Sequence, residues 1–512
     1  MEKAFDSADL KDTRVPLIIP FAAASALGVV ALCLGSSLPV VLMCVAGITV
    51  SFLPLHLYGR DLYSMVAILF SARYLIIALL LKIGYGQSLD SYLFDAAAAY
   101  GWTLVLMVIV TLIVLLARRW DPGKQFFEFA TDPPSLRKLA LISFSIGVSC
   151  LAVIGSRGGG DGEASAGPIM VIAAALVSFI VLGLAAEAIR SVELSGGKKL
   201  FSPLLAGMFG FTFLAVIALN QRAFLFDAVL GVALVGIMYR AISPRLIVFG
   251  LVFAVIFANF LSPLTLYLRS QRGVGISQFI DIASQTATRM IVDPEFRRTV
   301  VETTKFAQTQ NFTEDTAFDY FGDRSNIANR LSHVALLDAV LNGVRTRTYV
   351  GFPAVEKNLA GVMPGFLGFK KDGVSVGDWL AWHTGLLEPP YTTYIVYSLP
   401  MEAYTTWGWI GFLTYPFIFL LPVLVIFSRL SSFRLRAPVS IFLFADMQHA
   451  LIESTSDGFM NLVMREIVVL AIVLGAIHFV FFRERPPRIA RHLVKAALLR
   501  EPRRVLARRH GN

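Results

Sequence analysis

The sequence predicts an all-α polytopic membrane protein, with about twelve transmembrane helices and a large, mostly helical extracytoplasmic loop between spans 9 and 10. Three observations lead there. Mean hydropathy is +0.68 and only 16% of residues are charged, whereas soluble domains carry about 25%. So few charges cannot cover a water-facing surface. About twelve apolar runs approach the roughly 20 residues that a bilayer crossing needs. The segment 265–402 alone departs from that pattern and has the composition of a soluble helical layer. A soluble enzyme, a disordered regulator and a disulfide-stapled secreted module are excluded.

Taken in order, the spans fall near 15–34, 38–57, 62–83, 97–117, 137–155, 167–189, 203–219, 223–239, 245–264, 403–427, 437–455 and 462–482. The run 437–455 is polar, and 203–239 holds a tight pair. The first run lacks a basic start followed by a small-residue cleavage site, so it reads as a retained span. Gly35-Ser36-Ser37 joins it to the second in a short hairpin. Lys and Arg gather on alternate connections: Lys3, Lys11 and Arg14; Arg60; Arg118, Arg119, Lys124, Arg137 and Lys138; Arg190, Lys198 and Lys199; Arg240 and Arg245; Arg429, Arg434 and Arg436. The short opposite loops hold only Lys82, Arg157 and Arg222. By the positive-inside rule both termini are cytoplasmic and the long segment lies outside. The chain thus divides into spans 1–9 over 1–264, an extracytoplasmic domain over 265–402, spans 10–12 over 403–482 and a basic cytoplasmic tail over 483–512.

The net charge of +10 resides mostly in that tail, which has ten Lys and Arg against Glu484 and Glu501. Beside an apolar span such a run suits anionic lipid headgroups, not nucleic acid. Cys33, Cys44 and Cys150 lie in apolar stretches and give neither a disulfide framework nor a thiolate metal set. No internal repeat is visible, which weakens a transporter reading.

In the external segment, Asp293-Pro294-Glu295 opens a predicted helix with Pro and an acid in its first turn. Ile327, Leu331, Val334, Leu337 and Leu341 recur at helical spacing, and Arg330 and His333 flank that stripe, with Arg324 one to two turns upstream. Val350 to Lys371, rich in Gly and Pro and carrying Lys357, Lys370 and Lys371, reads as a long irregular loop. Arg272 and His383 add two further candidate binding groups to this segment. Plainer readings stand beside these: solvated arginines, a structural histidine, surface lysines. Asn311-Phe312-Thr313 is a chance match to a glycosylation site unless the host modifies it.

Ionisable groups inside hydrocarbon are costly and tend to mark function. Arg222 follows Asn220-Gln221 in the turn between spans 7 and 8, with Asp227 one turn on as a partner. Arg73 lies inside span 3, the only clear mid-span cation, and Glu402 opens span 10. Asp446, His449 and Glu453 share one face of span 11, either as a site or as a polar seam between helices. Arg465-Glu466 reads as an interfacial pair. No metalloprotease, dinucleotide, Walker or serine-triad motif can be read, and Arg157 to Asp161 is a flexible glycine loop without phosphate-loop context. No cofactor or metal is expected.

An enzyme on the outer face has no ATP and needs a donor already activated. Polyprenyl-diphosphate sugars supply one, and guanidinium groups suit the diphosphate because they are permanently charged and bidentate. Arg222, Arg324, Arg330, His333 and Glu402 form a catalytic parts list. Arg272, Lys357, Lys370, Lys371, His383, His449 and Glu453 are the binding candidates.

The span layout, the Asn220-Gln221-Arg222 turn, Arg324 through His333, Val362-Met363-Pro364-Gly365 running to Phe369-Lys370-Lys371, and Glu402-Ala403-Tyr404 leading to Gly408-Trp409-Ile410-Gly411 resemble the O-antigen polymerase and ligase superfamily. Many members have Pro-Arg where this chain has Pro364-Gly365. Val334 after His333 and the position of Gly343 favour the polymerase branch over the ligase branch. The resemblance implies metal-independent, inverting transfer between undecaprenyl-diphosphate-linked oligosaccharides at the bacterial inner membrane. Arg222 and the loop lysines would hold the diphosphate, and His333 or Glu402 would assist the acceptor. It also implies a chain-length regulator and a repeat-unit flippase as partners, beside membrane lipids. Glycosyltransferases with their large loop after span 1 fit poorly, because that loop here is Gly35-Ser36-Ser37. A flippase or exporter predicts cations spread through the bundle, and an ion channel predicts a repeated filter segment.

Overall fold

A computed structural model describes residues 14–156, 168–219, 222–268, 276–309, 320–322, 328–363, 373–390, 392 and 396–482. Among them the chain is mostly helical, without strands; the one β-bridge pairs Gln125 with Ser431. Seven of the twelve expected runs form helices long and apolar enough to cross a membrane. These are α2 (Leu38–Tyr58), α3 (Leu62–Gly84), α4 (Ala96–Trp120), α5 (Pro133–Ile154), α6 (Ile172–Leu194), α15 (Leu399–Leu430) and α17 (Ser456–Phe482). Shorter apolar helices occupy four more of the runs: α1 (Ile18–Cys33), α7 (Pro203–Leu219), α8 (Arg222–Met238) and α9 (Pro244–Ile256). The twelfth, α16 (Pro438–Glu453), has 16 residues, about 24 Å, which is shorter than a hydrocarbon core of about 30 Å.

Polar pins fix the bundle where helices begin and end. Asp61 caps α3 by accepting the Ser64 amide at 2.9 Å, and its other oxygen takes Arg118 Nε from the end of α4 at 2.7 Å. The Arg118 guanidinium also lies 3.8 Å over the Tyr58 ring, so a buried charge pair ties together the ends of three helices. Helices α5 and α6 pack closely because Gly183 meets Ala140 and Phe144; a Cβ there would sit 2.9 Å from the Ala140 carbonyl oxygen.

The segment between α9 and α15 carries α10 (Ile276–Val292), α11 (Pro294–Thr309), α12 (Val334–Arg345), α13 (Phe352–Val362) and α14 (Val376–Thr384). Asp293 does open α11, its Oδ1 accepting the amides of Glu295 and Phe296 at 3.0 Å each. Two readings need correction. The expected loop from Val350 contains α13: Gly351 and Pro353 stand at its start and frame the helix, where proline's missing N–H is harmless. The apolar stripe from Ile327 to Leu341 is not one helix. A short turn, Ala328–Leu331, ends before His333, which is the N-cap of α12.

This segment is interlocked with the bundle. The Phe94 and Asp95 amides donate to the Asp338 carboxylate at 2.5 and 3.0 Å, and the Tyr320 and Tyr100 hydroxyls meet at 2.8 Å. Helix α15 is two helices merged across a break at Gly408, whose φ of 60° and ψ of −142° suit glycine. Beside the break, the Thr405 and Thr406 carbonyls accept the Val350 and Gly351 amides at 3.1 and 3.0 Å, seating the start of α13 on α15.

Candidate functional site

Arg73 lies in the eleventh position after Leu62, about 17 Å along a helix of about 35 Å. Residues 72–76 form a single π turn, in which the Ile77 amide donates to the Ala72 carbonyl. Such a turn disturbs the ordinary ladder and often marks a functional position. Here the Arg73 carbonyl accepts the His333 amide at 3.0 Å, which docks the N-cap of α12 onto the middle of α3.

The side chains meet at the same point. Arg73 Nη2 donates to His333 Nε2 at 2.8 Å and also to Glu453 Oε1, in a short ion pair. The second Glu453 oxygen lies 3.3 Å from His449 Nδ1, one turn earlier on α16. Exposure rises outward: His333 is 2% exposed, Arg73 and Glu453 are 18% and 19%, and His449 is 55%. Helices α3 and α16 and the inter-span segment thus converge on one guanidinium.

Arginine has no acceptor, so His333 Nε2 must be the lone-pair nitrogen, and the neutral ring carries its proton on Nδ1. That Nδ1 is buried and has no hydrogen-bond partner among the described residues. Burial, and then the nearby Arg73 and His449, hold the imidazole well below its ordinary pKa range. The ring is also fixed edge-on to Tyr74, with centroids 5.2 Å apart, and Tyr74 Oη lies 2.8 Å from Ser398 Oγ. His333 is therefore a neutral group that positions Arg73, not a free base.

Glu402 lies elsewhere, sealed within the bundle. It is 0% exposed; Asn358 Nδ2 and Ser456 Oγ donate to Oε1 at 2.7 Å each, and the Ser456 amide donates to Oε2 at 2.5 Å. It clamps α13, α15 and α17 together, away from Arg73 and its partners. Lys357, beside Asn358 on α13, is half-buried. His383 Nε2 pairs with the Thr348 carbonyl at 2.9 Å, and the Trp382 and His383 carbonyls accept Arg347 Nη1 at 3.1 and 2.8 Å, which caps the end of α14.

Asp227 pairs with Gln448 Nε2 at 3.0 Å. Arg465 donates to the Val362 carbonyl at the end of α13. Arg222 begins α8 and Arg330 lies in the short turn before α12, but their side chains fall outside the described residues. So do Arg272, Arg324, Lys370, Lys371, the Asn220-Gln221 turn, the 157–161 glycine loop, the 311–313 sequon and the basic tail.

Of the sequence candidates, then, His333, His449 and Glu453 are brought together. The residue they surround, Arg73, was visible in the sequence only as a cation inside a span; its partners are 260 and 380 positions away. Comparison of the chain with family models, curated proteins and solved structures found no match.

Proposed function

We propose that the chain polymerises polysaccharide by joining prenyl-diphosphate-linked oligosaccharide repeat units, on the outer face of a bacterial inner membrane that it crosses about twelve times, with both termini in the cytoplasm. The observation that supports this reading is the partly open guanidinium of Arg73, held inside an apolar bundle by His333 of the inter-span segment and by Glu453. A permanent cation at that depth suits the diphosphate leaving group of a lipid-anchored donor, where preorganised charge is the main catalytic effect available.

In the proposed step the acceptor hydroxyl oxygen attacks the anomeric carbon of the donor sugar. The bond from that carbon to the diphosphate oxygen breaks with inversion, and the prenyl diphosphate leaves with the electron pair. Arg73 stabilises the developing charge, joined in this reading by Arg222. The hydroxyl proton passes to Glu453, whose second oxygen already faces the exposed His449. Purified protein incubated with lipid-linked repeat units in chelator should yield a ladder of longer products. Arg222→Ala should leave single units on lipid, and a normal ladder from that variant would remove Arg222 from the proposal. Thiol labelling of a cysteine placed near Arg330 from the cytoplasmic side would defeat the whole assignment.

A further inference from the structure

Glu453 can be read as more than a fixed structural partner. A guanidinium inside hydrocarbon needs an anion, and the carboxylate supplies one. The pair is not sealed, however: about a fifth of each side chain is exposed, and the His449 ring that holds the other carboxylate oxygen is more than half exposed. A sealed buried pair would resist exchange, because losing one partner strands a buried charge. This pair can trade partners, since a displaced Glu453 has the exposed His449 beside it. His333 adds a second sign of an unfinished site: its buried Nδ1–H has no acceptor among the described residues.

We infer that Glu453 is the resident counter-ion of an anion-binding site built on Arg73, and that a phosphate-type oxyanion displaces it. In the resting protein the carboxylate occupies the place of the ligand's oxygen atoms. On binding, the oxyanion takes the Arg73 donors, and Glu453 swings away with its charge unneutralised by Arg73. Ligand arrival would thus free the carboxylate oxygen that the proposed transfer uses. This deepens the reading above, but the exchange needs no sugar and can be tested without one.

The sign of one substitution decides it. The full-length protein in detergent is titrated with farnesyl diphosphate and, separately, with inorganic pyrophosphate, by calorimetry and by thermal shift at fixed salt. Glu453→Gln removes the competing anion and should bind at least tenfold tighter than the wild type, with a larger ligand-dependent rise in melting temperature. Arg73→Gln should bind at least tenfold weaker. A purely structural ion pair predicts the opposite for Glu453→Gln, because the site around Arg73 would loosen. Equal or weaker binding by Glu453→Gln overturns the inference, as does wild-type binding by Arg73→Gln or no binding by any form. If Glu453→Gln cannot be purified, Glu453→Asp, one methylene shorter, carries the same expected sign. Pyrophosphate following the same order places recognition in the diphosphate itself, and a response to farnesyl diphosphate alone adds the lipid chain; both support the exchange. Polymer made by a wild type whose Glu453→Gln form binds no tighter defeats the exchange and spares the glycan reading. Tighter binding in a protein that makes no polymer does the reverse.

Discussion

Glu402 and Glu453 belong to the same bundle, and Ser456, which binds one of them, lies three residues after the other. Their surroundings differ in kind. Glu402 is sealed from solvent and accepts three hydrogen bonds from neutral donors on two other helices. Glu453 is partly open and divides its oxygens between a guanidinium and an exposed imidazole. A sealed carboxylate held by three neutral donors keeps helices in register. One shared between a guanidinium and an exposed imidazole can give up a partner. Burial of a charged residue in a membrane bundle is therefore weak evidence of function until its donors are counted.

The largest effect that tests this contrast is expected at the clamp. Glu402→Ala strands the Ser456 amide and hydroxyl and one N–H of Asn358 inside the bundle, and should destabilise the protein by about 3 kcal/mol or more. Thermal unfolding in detergent, followed by tryptophan fluorescence, measures this. A melting curve like that of the wild type would show that Glu402 is not the pin. Next in size is Gly408→Ala. The backbone there has a φ of 60°, and a Cβ would lie 2.7 Å from the Tyr349 ring. Strain of about 1–3 kcal/mol should appear, and the loosened contact between α13 and α15 should weaken the Glu402 clamp as well.

These two positions also show what the sequence could and could not disclose. The long apolar runs were legible because hydropathy is local, and seven of them are long apolar helices. The face shared by His449 and Glu453 was legible because helical spacing fixes it. The break at Gly408 was hidden inside a continuous apolar run, and α13 was hidden because Gly351 and Pro353 resemble loop residues although they mark a helix start. Least legible was the seat of Arg73. It depends on one π turn and on an N-cap histidine 260 residues away, and neither leaves a periodic trace.

A smaller effect separates His333 from the open carboxylate it neighbours. Burial, with Arg73 and His449 near the ring, disfavours its charged form, so its folded pKa lies below the unfolded value of about 6.5. Below that pH the unfolded chain binds the extra proton and the folded one does not. Stability from this group is thus complete above about pH 6.5 and declines as pH falls, by at most about 1.4 kcal/mol per pH unit. His333→Gln keeps an acceptor for Arg73 and removes the titration. Its melting temperature should therefore fall less steeply than that of the wild type between neutral and mildly acidic pH. Parallel curves would mean that the ring takes up its proton freely in the fold.

The smallest effect belongs to a second arginine–carboxylate pair, and it sharpens the comparison from the outside. Arg345 Nη2 donates to Asp95 Oδ2 at 2.8 Å, but the side chains are 51% and 37% exposed. The Ala98 amide, and then Arg345, hold the Asp95 carboxyl below its usual range, so this pair also has the signature of a favourable contact. Water screens it, and Asp95 already has a structural task as the N-cap of α4, accepting the Ala98 amide at 2.9 Å. Arg345→Ala should cost no more than about 0.5 kcal/mol. Asp95→Ala, which removes the cap as well, should cost about 1 kcal/mol. Should Arg345→Ala prove as damaging as Asp95→Ala, the ion pair rather than the cap would hold α12 against the start of α4, and exposure would be a poor guide to which pairs in this protein matter.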